Sequence, residues 1–120
     1  MEAGQRPLGG NLPQLEVSPT DEGIALSGEV DLGSWAILRD ALTSVAGGAE
    51  GEDVILDVGG LSFMDGHGMS LIAQATRELA PSRRLVVRGA TPTLIRAAEI
   101  LGFDREPGLV IEGSSHNGDR

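Results

Sequence analysis

The chain has 120 residues, with nine arginines, no lysine, 18 acidic residues and no cysteine, for a net charge of −9. That length fits one domain, able to remove roughly two-thirds of its unfolded surface from water, and the lack of cysteine excludes disulfide and thiol chemistry and agrees with a cytoplasmic protein. An acidic field repels nucleic acid and anionic lipid, Trp35, Phe63 and Phe103 are too few to stack bases, and no apolar run nears the about 20 residues of a membrane span, so neither nucleic acid nor membrane is expected as a partner.

Residues 1–13 hold Gly4, Pro7, Gly9, Gly10 and Pro13 without apolar periodicity or a signal-peptide core, and are read as a flexible N-terminal arm. Leu15 and Val17, then Ile24, Leu26 and Gly28, recur at every second position. This predicts two strands in a hairpin through Pro19 to Gly23. A helix is predicted over 33–46, with Trp35, Leu38, Leu42 and Val45 on one inward face and Gly47-Gly48 as its stop. The run 54–58 is almost wholly apolar and β-branched, as in a central parallel strand. Beyond a tight loop, a second helix is predicted over 66–80, burying Ile72, Ala75 and Leu79 and stopped by Pro81. Leu85-Val86-Val87 gives the next strand, and the cluster Arg83, Arg84 and Arg88 flanks it. Thr91-Pro92 reads as a side-chain cap followed by proline at the first helical position. That third helix turns Leu94, Ala98 and Leu101 inward and ends at Gly102, and Leu109-Val110-Ile111 forms a last strand. The tail 113–120, with His116, is read as flexible. Helices alternating with short apolar strands imply right-handed crossovers and an α/β fold with a mostly parallel sheet.

The stretch from Val54 to Met69 carries the clearest signature, an apolar strand delivering Asp65-Gly66-His67-Gly68 to a helix N-terminus. It resembles the STAS family, whose bacterial anti-sigma factor antagonists carry Asp-Ser-Ser-Gly followed by Leu. Gly28-Glu29-Val30-Asp31, the strand 53–58, and the segment 91–103 ending in Leu-Gly-Phe resemble further family elements in the same order, so the likeness covers about 14–112. It implies a STAS fold, a mixed, mostly parallel β-sheet with helices on one side. It also implies a non-catalytic role: binding an anti-sigma factor or serine-kinase-like protein to release a sigma factor. Cofactors and metals are not implied, and homodimer formation is left open.

Matched residue by residue, Asp65 stands for the family aspartate, Gly66 for the first serine, His67 for the phosphoacceptor serine, and Gly68 for the glycine. The acceptor hydroxyl is therefore missing, and an always-binding antagonist is expected. A helix N-terminus tolerates an anion, so in the family phosphate repels the partner without unfolding the domain. Ser62 and Ser70 flank the position as poor substitutes. Asp65 is expected to cap the helix, Gly66 and Gly68 to serve backbone geometry. The partner surface implied by the resemblance comprises Glu29, Asp31, Asp65, Gly66, His67, Gly68, Met69 and Ser70, although Glu29 and Asp31 read equally well as a solvated turn. Trp35 is expected in the core.

Two alternatives come from other classes. One is a STAS scaffold or sensor-partner module in a larger signalling assembly. The other is a degenerate receiver with Asp57 as phosphoacceptor, whose magnesium-binding acidic pair and lysine are missing from the sequence. Glycine spacing does not fit a phosphate-binding loop, and neither histidine has a nucleophile elbow beside it.

Overall fold

A computed structural model describes residues 14–47 and 52–113. The arm 1–13, Gly48, and residues 114–120 with His116 lie outside the described residues. Nine elements follow in order: β1 (Leu15–Thr20), β2 (Gly23–Val30), α1 (Trp35–Ala46), β3 (Val54–Met64), α2 (Gly66–Leu79), β4 (Leu85–Ala90), α3 (Pro92–Leu101), a 3-10 turn (Phe103–Arg105) and β5 (Leu109–Gly113).

Burial at every second residue marks β2 and the first half of β3. Ile24, Leu26, Val54, Leu56 and Val58 are buried, while their neighbours Ala25, Ile55 and Asp57 are only partly covered. The five strands form one sheet in the order β1-β2-β3-β4-β5, with β1 antiparallel to β2 and every other pair parallel. The inward residues of the strands join Leu38 and Leu42 of α1 and Ile72, Ala75 and Leu79 of α2 in a single core cluster. The helices therefore cover one side, and the mixed, mostly parallel sheet of the STAS fold is the architecture found. Parallel neighbours require crossovers, and the helices supply them.

Helix boundaries follow their chemical signals. Thr91 Oγ1 accepts from the Leu94 N–H at 3.2 Å, with Pro92 at the start of α3. Gly102 ends α3 with φ +83°, a conformation only glycine adopts at little cost.

Two expectations need correction. First, β3 runs through Gly59-Gly60 to Met64, so the expected loop shrinks to Asp65 alone. The glycines accommodate a bulge: the register passes from Ala25 opposite Asp57 to Ser27 opposite Gly60, one extra residue on β3. A Cβ on Gly60 would stand 2.8 Å from that of Ser27. Second, Leu101 is 53% exposed. The end of α3 lies at the start of α2, where a Cβ on Gly66 would stand 3.6 Å from Leu101 Cδ1.

Candidate functional site

Asp65 is the only residue between β3 and α2, and three elements hold it. Its extended backbone (φ −86°, ψ 176°) makes it the N-cap, with Oδ1 accepting from the Gly68 N–H at 2.8 Å. Its own N–H donates to Val30 O at 3.0 Å, tying the turn to β2. From α1, Trp35 Nε1–H donates to both carboxylate oxygens at 3.1 Å. Trp35 thus packs against the core, as expected, and adds a polar link that the expectation did not include. It is half-buried, its aliphatic neighbours belong to the core, and its polar edge fastens the cap.

The same indole packs on His67, with ring centroids 4.1 Å apart and planes inclined by 53°. His67 lies in the first turn of α2 with its side chain exposed. Ser70 Oγ donates to His67 O at 2.7 Å, so that hydroxyl is turned onto the helix backbone. Gly66 is exposed next to Leu101. Gly68 and Met69 do not face outward as the expected partner surface requires. Gly68 is buried against β2 and β3, where a Cβ would meet Val30 Cγ1 at 2.6 Å and Met64 Cγ at 2.9 Å. Met69, 5% exposed, points into an apolar crevice with Met64, Ile72 and Phe103, because it follows the inward stripe of α2.

The acidic edge reaches the same end of the sheet. Glu29 is exposed and lies opposite Phe63 in the β2–β3 ladder. Asp31 is half-buried and internally engaged, its Oδ1 accepting from Gly33 N–H at 3.0 Å and from Gln14 Nε2. Its N–H donates to Ser34 Oγ at 3.2 Å, and that hydroxyl donates to Glu29 O at 2.8 Å. Asp31 therefore fastens the turn into α1, and Glu29 supplies the outward charge. Sequence reasoning gave no sign of the Gln14–Asp31 and Trp35–Asp65 links, which span 17 and 30 residues. A lone tryptophan opening a helix was the only available hint.

Large apolar side chains are exposed close by in the chain: Leu32, next to Asp31, is 74% exposed, and Phe63, two residues before Asp65, is 53% exposed. The arrangement offers apolar contact, a carboxylate and an imidazole on a rigid helix start, features suited to binding another protein. Among the described residues there is no group of three or more side chains able to hold a metal, and no helix long and apolar enough to cross a membrane.

Several other charges are paired away from this end. Arg84 bonds Asp53 at 2.7 Å, holding that carboxyl below the usual aspartate range. Arg83 is buried and donates to Glu52 O at 2.7 Å and Ala46 O at 3.5 Å, the last turn of α1. Arg88 lies 3.6 Å from Glu22 and 3.3 Å from Glu112. The basic cluster thus serves the strands. Asp57 is fourth in the eleven-residue β3, accepts from the Gly59 N–H at 2.9 Å and stands opposite Arg88. The receiver likeness needs an aspartate where a strand gives way to a loop, and Asp57 is not there.

Comparison with known proteins adds the lineage. The family model described as Mlab, STAS domain, matches residues 14–112. Among solved structures, an anti-sigma factor antagonist from Mycobacterium paratuberculosis is 22% identical, with a TM-score of 0.63, over 80% of this chain and 83% of that one. The anti-sigma factor antagonist SpoIIAA in its unphosphorylated form is 25% identical, with a TM-score of 0.57, over 80% and 86%. The Bacillus cell fate determinant SpoIIAA in its phosphorylated form is 22% identical, with a TM-score of 0.56, over 88% and 97%. No curated protein matches the chain significantly.

Proposed function

The chain belongs to the STAS domain family, and on that premise we propose that it is a non-catalytic bacterial regulator of transcription, acting in the cytoplasm as an anti-sigma factor antagonist. It captures a serine-kinase-type anti-sigma factor, and the sigma factor is released. The observation that carries this reading is the start of α2, where Asp65 is clamped by Trp35 and Gly68, the exposed His67 ring rests on the same Trp35, and half-exposed Leu101 lies beside Gly66. Such a surface is preorganised, so little ordering entropy is lost when a partner docks.

By family likeness, His67 occupies the position of the phosphoacceptor serine. Imidazole has no hydroxyl for a serine kinase to modify, and Ser70, the nearest hydroxyl, is engaged with His67 O. Capture is therefore constitutive toward such a kinase. Affinity capture by wild type and by His67→Asp, with ATP present, tests the reading. The added carboxylate mimics phosphate and is expected to abolish recovery of the kinase-type partner; unchanged recovery overturns the interface.

A second reading treats the domain as a scaffold within a larger assembly. The identity of the captured partner separates the two.

A further inference from the structure

β3 outlasts its neighbour on one side. Its ladder with β4 pairs Val54–Asp57 with Leu85–Arg88 and stops, although β3 continues to Met64. The divergence has a local cause. Gly89, with φ +85°, turns β4 away, and it passes so close to β3 that an added Cβ would lie 3.1 Å from Gly59 Cα. From Gly60 to Met64, the edge of β3 that faces α3 has no strand partner among the described residues, while the opposite edge pairs with β2. Asp65 N–H is spent on Val30 O, so by the alternation of backbone groups along a strand the N–H and C=O of Met64 face the open side.

A groove of about 430 Å³ follows that edge, lined by Leu61, Ser62, Phe63 and Met64 from β3 and by Thr93 and Ala97 from α3. Its lining is uncharged in a chain of net charge −9. Independently, α3 is poorly covered: Ala98 is its only buried residue, and Ile100 is 71% exposed. An open strand edge presents alternating donors and acceptors at strand spacing, which another extended backbone satisfies and a helix or an acyl chain does not.

We propose that this groove is a docking site for an extended, uncharged, apolar peptide segment of a protein partner, added as a strand to the edge of β3 that is unpaired among the described residues, with alternate side chains against α3. The groove is continuous with the partner surface through Met64 and the Asp65 cap, so the segment belongs to the protein seated on the start of α2. Only that attribution rests on the function proposed above; the groove's preference is tested with peptides alone.

The experiment selects a phage-displayed library of random dodecapeptides against the full chain and titrates the enriched peptides, synthesised, into the isotopically labelled protein. Enriched sequences are expected to alternate apolar residues without charge, to shift resonances from Gly60 to Met64, and to slow amide exchange at Met64 at least tenfold. Ala97→Arg, which sends a long charged chain into the groove from a half-exposed helix position, is expected to weaken binding at least tenfold. Thr93→Arg, at an exposed position, serves the same purpose should the first variant fold poorly. Arg84→Ala, at the opposite end of the sheet, should leave peptide binding unchanged, and because peptide binding is read without any protein partner, failure of partner capture and failure of the groove are distinguishable. Absence of enrichment, binding of peptides as helices, shifts away from β3, or indifference to both arginine variants would overturn the proposal.

Discussion

The indole N–H of Trp35 points at the carboxylate of Asp65, 3.1 Å from each oxygen, and so a residue that opens α1 fixes the cap that opens α2. The two helix starts are locked together across 30 residues of chain. Because the same indole packs on His67, the geometry of the exposed imidazole depends on this bond.

Trp35→Phe keeps the apolar body and removes the donor. Hydrogen bonds to charged groups contribute about 1.5–3 kcal/mol, and the half-exposed setting puts the loss at the lower end, about 1.5 kcal/mol by denaturant titration. Asp65→Ala removes the cap as well, which costs about 1 kcal/mol at an N-cap, and strands the indole N–H, for a total of about 2.5 kcal/mol. The double variant should cost less than the sum of the two, since they share one bond; strict additivity would mean that the bond contributes nothing.

Gly68→Ala sets two effects against each other. Alanine in a helix is favoured over glycine by about 1 kcal/mol. The new Cβ would sit 2.6 Å from Val30 Cγ1 and 2.9 Å from Met64 Cγ, and overpacking of this kind costs about 1–3 kcal/mol. Val30 is fully buried and β-branched and has little room to yield. A net destabilisation of about 1 kcal/mol is expected in thermal or denaturant unfolding, and a gain in stability would show that the contact relaxes freely.

Legibility in the sequence divides by range. Strand alternation, the Thr91-Pro92 start of α3 and its Gly102 stop are local signals, and the elements they announced are present. The extent of β3 was hidden because Gly59-Gly60 reads as a turn, whereas in the sheet the pair accommodates a bulge against Ser27. Met69 and Gly68 looked outward because the motif is contiguous, yet a helix turns its residues by about 100° each and sends these two inward. Trp35 was in phase with Leu38 and Leu42, and the phase was right for its ring body. Its polar edge answers to Asp65, a partner that periodicity cannot reveal.

The Asp53–Arg84 pair makes a pH prediction. Arg84 lowers the Asp53 carboxyl from its ordinary value, chiefly through their side-chain hydrogen bond. A carboxyl depressed in the folded state stabilises above its unfolded value near 3.8 and loses that contribution as pH falls through the folded value. Arg84→Ala should therefore raise the Asp53 titration midpoint seen by NMR. Any stability difference from wild type should be present at pH 7 and fade below about pH 4. An unshifted midpoint would show that the pair does not persist in solution; for an exposed pair the stability effect is small.

The most direct test of the interface at the start of α2 is affinity capture from the native lysate with ATP. It compares wild type, His67→Asp and Arg84→Ala, the last lying at the opposite end of the sheet, with mass spectrometry of both partner and bait. The expected result is a serine-kinase-type anti-sigma factor recovered by wild type and Arg84→Ala, absent from His67→Asp, with no phosphate on residues 62–70 of the bait. Equal recovery by all three, or kinase-dependent phosphate on that segment, would contradict it.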